Sequence, residues 1–248
     1  MARLFVEAAK LADEVVVIAG EDHRYLTRVL RLGVGDPLVI FDGVGVEAEA
    51  RIIRIGPRAL ELKVEERRPA SAATRPDVTL IQALTKGDKL DLVVQKATEL
   101  GVARIIPVTS ARSVPRLEAM RAIGRRTRWQ KIARDAARQS GRPDVPEIEP
   151  VTPLSTALAA SAAEAFKVLM WEGARQHSLR GVLPPPDAPP TARVVIATGP
   201  EGGFAEEEVE AAREAGFSVV GLGPRILRTE TAALVTLSIL GFVLGDLG

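Results

Sequence analysis

Hydrophobic positions follow two different periods along this chain. Over residues 1–68, apolar and polar residues alternate in short runs, which is the period of strands with one buried face. The pattern predicts one short helix over 21–32 and an Asp42-Gly43 hairpin signal. Five strands are predicted, at 3–7, 14–19, 37–42, 46–55 and 59–65. Residues 1–68 are therefore predicted to form a small β-rich domain.

Beyond residue 77 the pattern changes to short apolar runs separated by stretches of helical periodicity. Strands are predicted at 78–84, 104–108, 167–171, 194–198 and 218–222. Helices are predicted at 87–100 and 117–140, with an acidic helix after residue 203 and an apolar one at 230–244. Strands that alternate with helices form a parallel sheet covered on both faces. The sequence thus predicts an α/β domain over 77–248, joined to the first domain by a linker at 69–76.

The last predicted helix, 230–244, is apolar around most of its circumference. A helix of this kind is buried on all sides. We favour the interpretation that this helix forms a subunit interface. The alternative is that it is buried within its own domain.

Composition limits the chemistry that is available. The 248 residues are 46% hydrophobic and 26% charged, which is typical of a folded soluble protein. The sequence has no cysteine and only two histidines, His23 and His177, so disulfides are excluded and no metal site is expected. The longest uncharged run, 231–245, is too short to span a membrane, and we identify no signal peptide. We therefore expect a cytoplasmic protein without membrane contact.

Charge is segregated along the chain although the net charge is only +1. Ten basic residues against two acidic ones lie between Arg112 and Arg142, which favours a polyanionic partner. The predicted helix 21–32 places Arg24, Arg28 and Arg31 on one face, beside His23. This face is either solvated, or the arginines contact phosphates while His23 or Tyr25 stacks on a base, and the small barrel slightly favours the second interpretation.

Two turns at predicted strand ends, 198–203 and 221–229, are rich in glycine and proline. Ligands of parallel α/β sheets bind at the carboxyl ends of strands. The first turn contains Glu201, and Glu206, Glu207 and Glu208 follow it, so a phosphate would be repelled there. The same acids also complement a helix dipole. The turns suit a neutral or cationic ligand held by backbone groups.

Familiar catalytic sets are missing from the sequence. No Ser-His-Asp or Cys-His set can be assembled, and neither a GxxxxGK[ST] nor a GxGxxG motif follows a predicted strand. We therefore do not expect covalent or metal-dependent catalysis, and a bound organic cofactor is the expectation that is left.

Six stretches together resemble one family of RNA-modifying enzymes. TGPEGGF and LGPRILRTETAAL are similar to the SPOUT superfamily of knotted RNA methyltransferases. With HRYLTRVLRLGVGD, KGDKLDLVVQKATELGV, IIPVTSARSV and RWQKIARDAARQSGR, the chain resembles the family that methylates uridine N3 in bacterial 16S ribosomal RNA. The resemblance covers nearly the whole chain, and the ordered combination is more specific than any single stretch.

The resemblance implies a PUA-like RNA-binding barrel at the N-terminus and a catalytic domain with a C-terminal trefoil knot. It also implies a homodimer acting on 16S ribosomal RNA of the small ribosomal subunit, with S-adenosylmethionine held in three loops. The implied cofactor-binding residues are Leu169, Met170, Trp171, Thr198, Gly199, Pro200, Glu201, Gly202, Gly203, Leu222, Gly223, Ile226, Leu227, Arg228, Thr229 and Ala232.

Catalysis in such a site would combine positioning with stabilisation of a developing uridine anion. Arg228 is the first candidate for stabilising charge on a uracil oxygen, unless it pairs with Glu201 or Glu230. Either of these two acids could accept the N3 proton, unless Glu230 only begins a helix behind a Thr229 N-cap. The candidate RNA-binding residues are His23, Arg24, Arg28, Arg31, Lys86, Arg112, Arg134 and Arg138.

Two alternatives stay open. A SPOUT ribose 2′-O-methyltransferase would carry an Asn-x-Gly-x-x-x-Arg stretch, and we find none. A non-catalytic RNA-binding or ribosome-assembly factor could have kept the fold, although the intact GPEGG and LRTETA stretches argue against it.

Overall fold

A computed structural model of the protein describes residues 1–69, 76–113, 119–161, 165–183, 185 and 193–247. The chain divides into two units: Met1–Ala73 with Arg134–Val145, and Thr74–Ala133 with Pro146–Gly248. Most of the predicted linker, residues 70–75, lies outside the described residues.

The first unit is built on a five-stranded sheet with the order β1-β3-β4-β5-β2. Its strands are β1 (Ala2–Phe5), β2 (Val15–Ala19), β3 (Pro37–Phe41), β4 (Val46–Ile55) and β5 (Ala59–Pro69). Short helices α1 (Ala8–Leu11) and α2 (Gly20–Arg24) flank β2. Alternate residues of β4 and β5, such as Ile52 and Leu62, are buried in one core, as the period of two predicts.

The predicted hairpin joins β3 to β4, which pair antiparallel. The Asp42 carboxylate accepts hydrogen bonds from the amides of Val44 at 2.8 Å and Val46 at 3.0 Å. These bonds stabilise the turn in the way that Asp side chains commonly do.

The helix after β2 differs from the prediction. It changes at Tyr25–Val29 into a π-helical turn, in which the Leu30 amide donates to the Tyr25 carbonyl. Arg31 follows with a φ of +56°, outside any helix. The prediction that Arg24, Arg28 and Arg31 share one α-helical face is wrong, because the wider turn changes the spacing and Arg31 has left-handed backbone. All three arginines are nevertheless exposed.

The second unit contains the predicted parallel sheet, with the order β12-β10-β11-β6-β7-β8 and with β9 beside β7. Its strands are β6 (Asp77–Ala83), β7 (Arg104–Thr109), β8 (Glu147–Ile148), β9 (Thr152–Pro153), β10 (Phe166–Met170), β11 (Arg193–Thr198) and β12 (Ser218–Val220). The helices are α3 (Lys89–Glu99), α4 (Ala119–Ser140), α5 (Leu154–Ala159), α6 (Glu206–Glu214) and α7 (Thr229–Val243). The last turns of α4 group with the first unit. This architecture confirms the predicted α/β fold class.

Helix α7 buries one face rather than its whole circumference. Ala233, Leu237 and Leu240 are buried, and the helix packs against α3. Phe242, in contrast, is 72% exposed. The alternative interpretation, burial of the whole helix within its own domain, is therefore wrong, and an apolar face of α7 is left open; the favoured subunit interface stays a prediction. In the described ranges, no helix combines the length and the apolar character needed to cross a membrane.

Candidate functional site

Three loops meet at one edge of the parallel sheet. Strands β12, β10 and β11 are adjacent, and Met170 of β10 pairs with Val220 of β12 and with Thr198 of β11. Because parallel strands end at the same edge, the segments that follow them lie side by side. The structure thus brings together the three loops that the resemblance implies.

The implied cofactor residues differ in exposure. Leu169, Met170, Thr198, Pro200 and Thr229 are buried, and Trp171, Gly199, Gly203, Leu222, Leu227 and Ala232 are half-buried. Glu201, Gly202, Gly223, Ile226 and Arg228 are exposed. A site built from these residues has a buried floor and an accessible rim.

Backbone bonds hold the loop after β10 against the end of β12. The Trp171 amide donates to the Val220 carbonyl at 3.0 Å, and the Gly221 amide donates to the His177 carbonyl at 2.8 Å. A Cβ on Gly221 would lie 3.0 Å from the Ala174 carbonyl oxygen, so a larger residue would push this loop away.

The turn after β11 is compact. The Gly203 amide donates to the Pro200 carbonyl at 3.0 Å, and Gly203 has a φ of +69°. A Cβ at Gly203 would collide with the Glu172 carboxylate. The positive φ is what favours glycine here, since the Glu172 carboxylate is the end of an exposed, flexible side chain that can move aside.

A buried polar network joins two of the loops. The Thr198 hydroxyl donates to Gln82 Oε1 at 2.7 Å, and Gln82 Nε2 donates to Thr229 Oγ1 at 3.1 Å. Thr229 Oγ1 in turn donates to the Gly199 carbonyl. Gln82, at the end of β6, has no exposed surface. Sequence reasoning missed Gln82, and the only local signal was an amide side chain inside an apolar strand.

Glu201 is an anchoring residue of the glycine-rich turn. Its Oε1 accepts from the Lys86 amide at 3.0 Å and from Lys89 Nζ at 2.8 Å. Partial burial raises the pKa of the Glu201 carboxyl, but the hydrogen bonds from Lys89 and from backbone amides outweigh it and leave the pKa below its usual value. Glu201 is therefore ionised at neutral pH and is a weak base.

Arg228 and Glu230 flank the start of α7. Arg228 is the N-cap residue and makes no side-chain capping bond, so the predicted Thr229 N-cap is wrong, because the Thr229 hydroxyl is used by the network described above. The exposed Arg228 forms no ion pair with Glu201, Glu230 or any other residue that the structure describes. Glu230 Oε2 is buried, and no residue that the structure describes forms a hydrogen bond with it.

Residues 110–113, which follow β7, are hydrogen-bonded to the glycine-rich turn after β11. Arg112 Nη1 donates to the Gly202 carbonyl at 3.0 Å. Glu208 accepts from the Ala111 amide at 2.7 Å and from the Ala205 amide at 2.9 Å. One acid of the predicted repulsive cluster thus connects the loop and the helix start. Arg112 stays exposed, so its predicted RNA contact is not tested by this bond.

Some RNA-binding candidates of the first unit are exposed, and the others contact neighbouring groups within the unit. Arg24, Arg28 and Arg31 are exposed. His23 is 8% exposed and its Nε2 lies 3.1 Å from the Gly56 carbonyl oxygen, so the predicted base stacking on His23 is not supported. Arg138 lies over the Tyr25 ring at 4.3 Å and Arg134 over the Phe5 ring at 5.4 Å, which occupies both side chains within the unit. Lys86 is exposed in the second unit.

Among the residues that the structure describes, no three or more His, Cys, Asp or Glu side chains are grouped so that they could hold a metal ion.

Two family models match the chain. An RNA methyltransferase domain matches residues 73–241, and an RNA methyltransferase PUA domain matches residues 18–65. These matches confirm the predicted PUA-like and methyltransferase folds.

Similar proteins cover nearly the full length. The chain is 34% identical over 250 residues to ribosomal RNA small subunit methyltransferase E of Bacillus subtilis, covering 98% of this chain and 96% of the relative. A crystal structure of the corresponding Neisseria gonorrhoeae protein bound to S-adenosyl methionine has 32% identity, a TM-score of 0.85 and 98% coverage of both chains. A Legionella pneumophila methyltransferase in complex with the same cofactor has 29% identity and a TM-score of 0.85, with 97% of this chain and 96% of that chain covered.

Proposed function

Because this chain belongs to the family of ribosomal RNA small subunit methyltransferase E, we propose that it methylates N3 of a specific uridine in 16S ribosomal RNA with S-adenosylmethionine as the methyl donor. The observation that carries the proposal is the convergence of three loops at the ends of β10, β11 and β12. The similar Neisseria gonorrhoeae structure was solved with this cofactor bound, which supports the same cofactor here.

The loops fit this cofactor chemically. The backbone amides of Leu222 and Leu227 donate to no acceptor within the described residues, so they are free to bind adenine or ribose groups. The cofactor carries a sulfonium cation and no phosphate, so the acids near the turn do not repel it. We assign its binding to the three loop segments, with Leu169–Met170, Thr198–Gly203 and 222–229 as their cores.

The chain's own residues handle the charge and the proton. When bound, S-adenosylmethionine supplies an electrophilic methyl group. Arg228, which is exposed and unpaired among the described residues, stabilises the negative charge on a uracil oxygen as N3 loses its proton. Glu230 accepts that proton at its buried Oε2, which no described donor occupies. Glu201 is assigned the anchoring role, since its Oε1 already binds two donors.

RNA binding is assigned to both domains. Arg24, Arg28 and Arg31 offer exposed positive charge in the first domain, 1–68, and Lys86 and Arg112 offer it in the catalytic domain, 77–248. The open apolar face of α7 supports a homodimer, and the trefoil knot is part of the same proposal. Such an enzyme acts where ribosomes are assembled, in the cytoplasm.

Two measurements test the proposal. Calorimetric titration with S-adenosylmethionine should give saturable binding, and its absence would favour a non-catalytic assembly factor. Mass spectrometry of nucleosides from small-subunit RNA, with and without the protein in the cell, should show N3-methyluridine only when the protein is present. Binding without a change in N3-methyluridine would refute the position of methylation and keep the methyltransferase assignment.

A further inference from the structure

Gln82 lies on β6, a strand that carries none of the three proposed cofactor loops. Its side chain nevertheless contacts two of them, through Thr198 at the end of β11 and Thr229 at the start of α7. Those residues are 116 and 147 positions away in sequence. With Thr198 at 1% exposure and Thr229 at 7%, water competes poorly for these bonds.

The direction of the network is determined by its last member. A backbone carbonyl can only accept, so the Thr229 hydroxyl must donate to the Gly199 oxygen. Thr229 Oγ1 therefore accepts from Gln82 Nε2, and Gln82 Oε1 is left to accept from Thr198. The second hydrogen of Nε2 reaches the Ala83 carbonyl at 3.1 Å. A donor and an acceptor are thus both needed at position 82.

We propose that Gln82 is a positioning residue whose hydrogen bonds to Thr198 and Thr229 fix the GPEGG turn relative to the first turn of α7. We call these two hydrogen bonds the lock. They keep the cofactor site in its binding geometry before the cofactor binds. The proposal rests on the proposed function for the identity of the cofactor, but the lock itself does not depend on it. A site that is ordered in advance loses less conformational entropy on binding. Without the Gln82 amide, the Thr198 and Thr229 hydroxyls lose their common partner, and only the Thr229 bond to the Gly199 carbonyl still joins the turn to α7.

The first test removes the lock and leaves the volume in place. Gln82→Met is expected to weaken binding of S-adenosylmethionine about tenfold or more, because two buried hydroxyl groups lose partners. The dissociation constant is measured by calorimetry and KM and kcat by methyl transfer to 16S RNA, with the larger change expected in KM for the cofactor. Thr98→Val is the matched control, since it removes a fully buried hydroxyl of α3, which donates to the Val94 carbonyl. Equal affinities for Gln82→Met, Thr98→Val and the unmodified protein would overturn the proposal.

The second test needs no cofactor. Amide hydrogen exchange of Gln82→Met is expected to accelerate in peptides covering 199–204 and 229–233, while the β6–β11 ladder keeps its protection. Unchanged exchange in both loops would refute the lock. If the unmodified protein binds no S-adenosylmethionine, the proposed function fails, and this measurement still decides the inference.

The third test uses the direction of the bonds. Gln82→Glu keeps the shape, but its carboxyl donates to Thr229 only when it is protonated. Relative to the unmodified protein, cofactor affinity of Gln82→Glu should therefore fall as the pH rises through the pKa of the new carboxyl. A pH profile parallel to that of the unmodified protein would contradict the proposal. If either variant at position 82 does not fold, Thr229→Val, measured without cofactor, should accelerate hydrogen exchange in the 199–204 peptides, and unchanged exchange there would overturn the lock.

Discussion

Replacing Glu201 with Gln separates anchoring of the turn from proton transfer. Glutamine has the same shape and keeps an oxygen that can accept from the Lys86 amide and from Lys89 Nζ. Only the charge is lost. The side chains of Lys89 and Glu201 are 35% and 28% exposed, so the pair lies in the class of exposed ion pairs worth about 0.2–1 kcal/mol.

The hydrogen bond from the Lys86 amide is also weakened, because its acceptor is no longer charged. Together with the lost ion pair, this gives an expected loss in the free energy of unfolding of about 1 kcal/mol. In a chain of this size that corresponds to a fall in Tm of about 2–4 °C, measured by calorimetry. Glu214→Gln is the control, because it makes the same charge change at an exposed position of α6. It should leave Tm within about 1 °C.

The pH dependence has a definite sign. The pKa of Glu201 is below its ordinary value of 4.5 in the folded protein, so its contribution to stability is fully present above that value. It is lost as the pH falls through the lowered pKa. The Tm difference between Glu201→Gln and the unmodified protein should therefore disappear in acid. A difference that persists unchanged there would refute the electrostatic anchor.

Turnover distinguishes the two roles of Glu201. A general base contributes about 10²–10⁴-fold to the rate. As an anchor, Glu201 should lose less than about tenfold in kcat on replacement by Gln, well below that range. A fall of a hundredfold or more would return proton transfer to Glu201 and remove it from Glu230.

The remaining predictions concern charge, packing and assembly. Arg228→Gln should lower kcat by about 10²-fold, with a smaller change in the affinity for S-adenosylmethionine, because removing a preorganised donor for developing charge costs this much; equal losses in both quantities would assign Arg228 to cofactor binding instead. Arg28→Gln should reduce the slope of log K against log salt by about 0.7–0.9 in binding assays with 16S RNA. Arg138→Gln should leave that slope unchanged and lower Tm by about 2–4 °C, because its guanidinium lies over the Tyr25 ring and pairs with Asp135; a reduced slope would identify Arg138 as an RNA contact. Phe242→Asp should shift the protein toward monomers in analytical ultracentrifugation, because this 72% exposed ring lies on the open face of α7; an unchanged dimer would place the interface elsewhere.

Much of the second unit could be predicted because buried strands are visible as apolar runs. The five predicted strands of that unit begin and end within two residues of β6, β7, β10, β11 and β12. The two-residue strands β8 and β9 could not be predicted from the sequence, since two residues are too few to show a hydrophobic period.

Single side chains were harder to assign than elements. His23 lies in a basic, polar stretch, yet it is buried against the Gly56 carbonyl. Arg138 belongs to a run of positive charge, yet its guanidinium packs on Tyr25. A charge pattern indicates where positive potential concentrates, but the three-dimensional neighbours decide which cation is free for a ligand.

The sequence by itself determined the order of the ten strands longer than two residues, the positions of helices α2, α3, α4, α6 and α7, the two glycine-rich strand ends and the segregation of charge. These are properties of residues close together in the chain, where periodicity and turn preference act. Only the tertiary structure decided that Gln82, Thr198 and Thr229 share one network and that Glu201 is occupied by Lys86 and Lys89. Those contacts join residues more than 110 positions apart, and they exist because strand order places β6 beside β11. Hydrogen bonds are short and directional, so no local pattern can specify them before the sheet has formed.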